Sequence, residues 1–185
     1  MQTARLIFRD LTVDDFDAVH AYASDPEVTR YTAFGPNTVE QTKEFLQRHV
    51  AESAQSDRAS YNFGLVHKQT HRLIGSCGLM RSNPNGPQFG FGYVLHKDFW
   101  RQGLASEATT ALIKFGFDEL RAHRLWAHVF VGNTGSERVL KKLGFRYEGC
   151  AVKSFFVRDE WHDLQTFAML RSEWLRAVRD ARQSP

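Results

Sequence analysis

The stretch from Tyr93 to Ala108 constrains this chain more than any other. It passes from an apolar run, Tyr93-Val94-Leu95, through the polar turn Lys97-Asp98-Phe99-Trp100-Arg101-Gln102-Gly103 into Leu104-Ala105-Ser106-Glu107-Ala108. From Ala105, residues Ala108, Ala111, Leu112, Phe115 and Leu120 recur at helical spacing, which predicts a helix over 105–120. A strand that turns through a glycine into an amphipathic helix lays that helix back over a sheet. The first N–H groups of such a helix have no intrahelical partner, and the helix dipole adds partial positive charge there. Gly103 and Ala105 leave little side chain to bar an anion from them.

The remaining elements set this unit in a larger pattern. Residues 5–9 read as a first strand. Thr12, followed by Asp14 and Asp15, opens a helix that Ser24-Asp25-Pro26 breaks. Thr38-Val39-Glu40-Gln41 matches a capping box, and Phe45, Leu46 and Val50 continue a helical face. Residues 61–67 and 73–80 form a hairpin, and Asn83-Pro84-Asn85-Gly86-Pro87 turns the chain into a strand at 89–96. Gly90 and Gly92 within that strand suggest a bulge or a close backbone approach by a ligand. A strand at 125–131 and a short helix at 134–143 come next, the latter stopped by Gly144. Strands at 146–158 and 161–170 meet at Asp159-Glu160, and a polar helix near 172–182 ends in a frayed Gln183-Ser184-Pro185. The expected fold is mixed α/β in one domain spanning 1–185: a mostly antiparallel sheet with one βαβ unit, flanked by helices.

Composition excludes several classes. With 42% hydrophobic residues in 185, the chain can bury a core and is not a disordered tail. No apolar run approaches the ~20 residues of a membrane span, and no basic region precedes an apolar one at the start. Two cysteines, Cys77 and Cys150, make no disulfide framework; both are expected to be buried small hydrophobes in a protein of the reducing cytosol. His67 and His71 flank a hairpin turn rather than share a helix face, so no metal is expected. The net charge of +3 does not call for nucleic acid, but it is uneven. Residues 1–92 hold 9 Lys/Arg against 10 Asp/Glu, and residues 93–185 hold 15 against 11. An anionic ligand on the second half fits that bias.

A second loop makes the ligand reading specific. Asn133-Thr134-Gly135-Ser136 follows a strand and opens the helix that ends in Leu143-Gly144-Phe145. Two strands thus each end in a polar, helix-opening loop, where open α/β sheets place ligands. No Gly-Lys-Ser/Thr follows the first glycine, so this is not a P-loop, and Gly90-Phe91-Gly92 does not extend to a dinucleotide fingerprint.

On these residues the chain resembles the GNAT superfamily of acyl-CoA-dependent N-acetyltransferases, in its RimJ/RimL-like branch of ribosomal-protein N-terminal acetyltransferases. Phe99 to Ala108 is similar to that branch's Trp-x-x-Gly-x-Ala-x-Glu-Ala pattern, and Asn133 to Phe145 to its Asn-x-x-Ser…Leu-Gly-Phe pattern. Arg5-Leu6…Arg9, Asp25-Pro26-Glu27-Val28 and Trp161-His162-Asp163 fit as well.

The resemblance implies a division of labour. Arg101, Gln102, Gly103, Leu104, Ala105 and Ser106 would cradle the CoA pyrophosphate, with Trp100 replacing the superfamily's usual Gln or Arg. Tyr93, Val94 and Leu95 would pair with the pantetheine between two splayed strands, and the Val94 N–H would polarise the thioester carbonyl. Asn133 would orient pantetheine and Ser136 would protonate the departing thiolate. Acetyl-CoA would serve as cosubstrate for direct attack by an acceptor amine, either a protein N-terminus or a small molecule. Acids expected in this branch read here as Phe155 and Gly90. Asp163, Glu107, His128, His162 or a water relay are left to take the amine proton. Of these, Glu107 reads better as a tether for its helix and Asp163 as a brace for the last strands, so the expectation is an amine that arrives largely deprotonated or loses its proton through water.

Tyr22, Tyr31, Phe34, Phe155, Phe156 and Trp161 are candidates to line the acceptor cleft, if they are not simply core. Phe155 in place of an acid implies a less polar pocket. Two other readings stay open: a catalytically impaired acyl-CoA-binding module, and a ribosome- or RNA-associated protein. A monomer and a homodimer are both compatible with the sequence.

Overall fold

The computed structural model describes residues 1–83 and 86–183. Pro84 and Asn85 of the expected turn, and Ser184 and Pro185 of the expected frayed end, lie outside the described residues. In chain order the elements are β1 (Leu6–Arg9), α1 (Phe16–Ala23), α2 (Pro26–Thr29), α3 (Val39–Ser53), β2 (Ser60–His67), β3 (Leu73–Asn83), β4 (Gln88–Leu95), α4 (Leu104–Lys114), β5 (Arg124–Phe130), α5 (Thr134–Lys142), β6 (Arg146–Val157), β7 (Glu160–Leu170) and α6 (Arg171–Gln183). The strands form one seven-stranded sheet in the order β1-β2-β3-β4-β5-β7-β6. Every neighbouring pair is antiparallel except β4–β5, which the α4 crossover makes parallel. No helix of the described residues is long and apolar enough to cross a membrane.

Three local expectations change. Thr12 opens a single 3₁₀ turn, Val13–Asp15, before α1. Asp15 is buried there, held by two bonds from the Arg9 guanidinium at 2.7 and 2.6 Å and one from the Thr12 N–H at 2.8 Å. The Asp25-Pro26 break becomes a one-turn helix, because Asp25 accepts from the Glu27 N–H at 2.8 Å and Pro26 fits a first helical position. The helix expected to run to Leu120 leaves α geometry after Lys114, and Phe115–Glu119 form a π turn. The wider turn packs Phe115 edge-on against Tyr61 and Phe63, each at 5.5 Å, and stacks Phe117 on Trp174. It also seats the Gly116 backbone on Leu125, where a Cβ would come within 3.0 Å.

The core lies on both faces of the sheet. On one, Phe89 and Leu95 of β4, Leu125 of β5 and Phe167 of β7 meet Leu104, Ala108, Leu112 and Phe117. On the other, a smaller cluster of Leu11, Val19, Tyr22, Ala23, Val28 and Leu46 packs α1 to α3. Cys77 is buried as expected, but Cys150 is exposed, on the edge strand β6.

Arg124 and Arg146 clamp Glu148 beside the start of β5, and Arg146 also pairs with Glu173. The Arg124 and Arg146 hydrogen bonds outweigh desolvation and pull the Glu148 carboxyl down to about 2 from 4.5. A depressed folded-state pKa means stability that is present above the unfolded value and lost as pH falls toward the folded one. The Glu148→Gln variant is therefore expected to be less stable than the parent near neutrality. That gap should close between about pH 4.5 and 2, as read by thermal melts across pH. Solvent screening keeps it near ~1 kcal/mol.

Candidate functional site

Gly103 begins α4 with φ +77°, and Arg101 before it sits at φ +59°, so the chain enters the helix through a left-handed twist. Glycine takes this conformation at no steric cost. No side chain caps the helix start, so its first N–H groups face outward. The loop itself is anchored. Trp100 donates its indole N–H to the Leu95 carbonyl at 2.8 Å, and Gln102 donates to the Asp98 carbonyl at 2.9 Å. The Arg5 guanidinium donates to the Gln102 carbonyl at 2.8 Å and to Glu107 at 2.7 Å, while Thr3 Oγ1 and the Arg5 N–H also bond Glu107. Glu107 thus tethers its helix. Burial resists its ionisation, but the bonds from Thr3 and Arg5 win and hold its pKa below the usual range.

Beside this loop the sheet opens. β4 and β5 pair only from Gln88–Gly90 to Arg124–Trp126, and beyond Gly90 they diverge. Strand alternation decides which β4 groups face the gap. The His96 N–H donates to Ile74 of β3 at 2.7 Å, while the Pro87 carbonyl accepts from His123 next to β5 at 2.7 Å. Even-numbered residues therefore turn their backbone groups toward β3, and Phe91 and Tyr93 turn theirs into the gap, while the Leu95 carbonyl is taken by the Trp100 indole. The Val94 N–H, the oxyanion donor that the resemblance implied, belongs to the β3 ladder, and the Tyr93 N–H faces the opening.

The Tyr93 side chain adds a link that the sequence did not reveal. Its hydroxyl donates to Ser136 Oγ at 3.2 Å, joining β4 to α5 across the gap. Burial raises the Tyr93 pKa, more than the Ser136 hydrogen bond lowers it, so the phenol stays protonated well past neutrality. Asn133 caps α5, its Oδ1 accepting from the Ser136 N–H at 3.1 Å. The Ser136 hydroxyl proton is left to point elsewhere.

The opposite face of the gap carries different groups. A Cβ on Gly90 would come within 2.9 Å of the Trp126 indole, which fills the space beside this strand. Trp126 donates its N–H to Ser82 Oγ at 3.0 Å, and His128 lies against it with ring centroids 4.5 Å apart. Asp163 is engaged, accepting from the Lys153 N–H at 2.7 Å, which braces β6 on β7.

At the carboxyl end of β5 the same face runs into a cavity of about 550 Å³. Pro26, Thr29, Arg30, Tyr31, Pro36, Phe130, Val131, Arg158, Glu160 and His162 line it. Its size is in the range of small-molecule sites. Arg158 and Asp159, both at positive φ, make the tight turn between β6 and β7. That turn aims the Arg158 guanidinium at the loop after α2, where it donates to the carbonyls of Arg30, Thr32, Phe34 and Gly35 at 3.1–3.3 Å. One side chain thereby holds two walls of the cavity together.

The aromatic candidates divide. Tyr31 lines the cavity, and Phe155 packs edge-on against Phe130 at 5.6 Å beside it. Tyr22 does not reach it: it is 2% exposed in the core, donating to Ser76 Oγ at 3.1 Å, because α1 lies flat on the sheet. Phe156 and Trp161 pack on each other at 5.2 Å and face solvent. Phe34 takes part through its carbonyl, bound by Arg158. Arg30, Glu160 and His162 also line the cavity. Arg30, Phe130, Arg158 and Glu160 had no distinguishing signal in the sequence beyond the turn, expected at Asp159-Glu160 and found one residue earlier at Arg158-Asp159 because β7 already begins at Glu160.

These features can be set beside known proteins. The family model described as "Acetyltransferase (GNAT) domain" matches residues 5–146. An uncharacterized N-acetyltransferase, p20, of Bacillus licheniformis is 32% identical, covering 94% of this chain and 97% of its own. The [ribosomal protein uS5]-alanine N-acetyltransferase of Escherichia coli is 28% identical over 63% of this chain and 60% of its own, in keeping with the RimJ/RimL-like branch. The spermidine N-acetyltransferase of Vibrio cholerae, solved with CoA and spermine, superposes with a TM-score of 0.80 at 22% identity over 94% of this chain and 99% of that one. With its sheet order, its divergent β4–β5 pair and a family match over most of its length, this chain belongs to the GNAT acetyltransferase family.

Proposed function

We propose that this acetyltransferase uses acetyl-CoA as donor, bound between β4 and β5, and passes the acetyl group directly to a primary amine held in the cavity beneath Arg158. The single observation that carries the reading is the opening of the sheet beyond Gly90 and Trp126. It exposes unpaired β4 backbone groups, with a hydroxyl pair on one face and a ligand-sized cavity on the other.

The residues present fit CoA. Gly103 and the uncapped start of α4 offer backbone N–H groups to a pyrophosphate. Arg101, Arg138 and Lys142 make no ion pair among the described residues, so their charge is available to a polyanion. Asn133 fixes the turn beside the pantetheine arm. The Tyr93 N–H polarises the acyl carbonyl, and Ser136, backed by Tyr93, gives a proton to the departing sulfur.

The acceptor site is built for an amine in a mixed setting. Glu160 can pair with a cationic group, while Phe130 and Tyr31 contact apolar parts. A protein N-terminus and a polyamine both have this character. The relatives with named acceptors span both classes, which is why spermidine and an alanine-initiated peptide are the probes of choice.

The test is thermal melting with acetyl-CoA, followed by thiol release with each amine. A clear upward shift in Tm together with amine-dependent thiol release is the expected result. A shift without release from any primary amine would mark an acyl-CoA-binding module instead. Arg158→Ala should raise the acceptor KM about tenfold by freeing the loop wall, while the acetyl-CoA shift stays unchanged. Steady-state kinetics with each substrate varied checks this.

A further inference from the structure

We propose that His128 is the base that takes the proton from the acceptor amine, an assignment that rests on the acetyl-transfer reading above. The first support is position. Gly90 and Trp126 are the last residues paired between β4 and β5. Carrying that register two residues onward places His128 across the opening from Gly92. A Cβ built on Gly92 meets nothing within 4 Å, so the space in front of His128 is open.

The second support is the face. The Cβ direction of Gly90 points into the Trp126 ring, so Trp126 lies on the Gly90–Gly92 side of the sheet. Strand alternation puts His128 and Phe130 on that side too. Phe130 lines the acceptor cavity, and an amine leaving the cavity for the gap passes His128 next. Ser136 and Tyr93 occupy the other face, so proton removal and proton donation fall on opposite sides of the acyl carbon.

The third is chemistry. Gly90 and Phe155 beside the opening carry no ionisable group, Glu107 is consumed by Thr3 and Arg5, and Asp163 by the Lys153 N–H. His162 lines the cavity, but its Nε2 is buried without a hydrogen-bond partner among the described residues. It also lies four residues along β7 from Thr166, the residue opposite His128, hence ~13 Å from it along the strand. His128 is exposed at the opening, with its ring resting on Trp126, which Ser82 fixes.

Partial burial lowers the His128 pKa below 6.5, and no charged neighbour contributes, so the imidazole is neutral at pH 7 and can accept a proton. Gly90 and Gly92 face it from β4, and Thr166 stands opposite on β7, backed by Gly149 on β6. Charged groups flank β5 at both ends. Arg124, Arg146 and Glu148 are closed on one another at the start, and Arg30, Arg158 and Glu160 ring the cavity at the far end.

The step balances. The amine lone pair forms the N–C bond, the C–S bond breaks and its electron pair goes to sulfur. The surplus proton on nitrogen passes to His128, and the sulfur takes a proton from Ser136, which Tyr93 and solvent replace. His128 then returns its proton to water.

The test compares the parent with His128→Gln, His128→Ala and His162→Gln. Thiol release from acetyl-CoA with spermidine and with an alanine-initiated peptide is measured from about pH 5.5 to 9.5, alongside the acetyl-CoA thermal shift. His128→Gln should lower kcat about 100-fold at pH 7 and abolish the acidic limb of the profile. The deficit should shrink at high pH, where more of the amine arrives unprotonated. Added imidazole should restore part of the His128→Ala rate, and the thermal shift should be unchanged. His162→Gln should keep the limb. A His128→Gln enzyme within twofold of the parent and with the limb intact overturns the assignment alone, as does loss of the limb in His162→Gln instead. No turnover of either amine by the parent overturns the transfer reading itself, and His128 with it.

Discussion

Ser136→Ala is expected to lower kcat about 100-fold while the acetyl-CoA thermal shift stays within a degree or so of the parent's. The magnitude follows from removing a positioned proton donor from a reaction whose leaving group is a thiolate. The helix should not suffer, because Asn133 caps α5 through the Ser136 backbone N–H and not through its hydroxyl. Tyr93 acts through Ser136, its hydroxyl donating to Ser136 Oγ at 3.2 Å. Tyr93→Phe should therefore cost less, about tenfold in kcat. The double variant should be no worse than Ser136→Ala by itself, since the two hydroxyls form one path. Steady-state kcat for the three variants decides it. A Ser136→Ala enzyme with parental kcat would reduce the hydroxyl to an ordinary helix-turn group.

The second large effect is expected at Gly103. Replacement by Asp should weaken acetyl-CoA binding about 100-fold, and replacement by Asn only a few-fold, as measured by titration calorimetry. Both residues tolerate φ +77° better than other side chains do, at a cost of roughly 1 kcal/mol. Both suit a helix N-cap, and the nearest atom to a new Cβ is Arg5 Nη2 at 3.5 Å, so the fold should survive either change. Only Asp places a negative charge where the pyrophosphate would sit, and like-charge repulsion there offsets the attraction of the helix start. Equal affinities for the two variants would move the anion site elsewhere.

The two loops proposed to hold the donor were legible in the sequence because their geometry is local. A glycine in a left-handed conformation, small residues beyond it and a polar cap at Asn133 do their work within a few residues of where they stand. The elements themselves were legible for the same reason, with departures at the π turn around Gly116, where packing overrode local preference, and at Asp25-Pro26, where a local cap made a one-turn helix of the expected break.

The cavity proposed for the acceptor was not legible, because its determinants come from pairing between distant segments. Tyr22 and Tyr31 are both aromatic and nine residues apart, yet one lies under α1 with its hydroxyl on Ser76 and the other lines the cavity. Which of the two faces the cleft depends on how α1 docks onto the sheet. Arg158 has no motif; it matters because a tight turn carries it to carbonyls more than 120 residues away in the chain.

The sequence by itself determined the α/β architecture and the two helix-opening loops. Only the tertiary structure decided that β4 and β5 part after Gly90, that the Tyr93 N–H and not that of Val94 faces the opening, and that His128 stands over it. The physical reason is register. Strand pairing fixes which side of the sheet each residue occupies and which edge its backbone groups face, and a shift of one position reverses both.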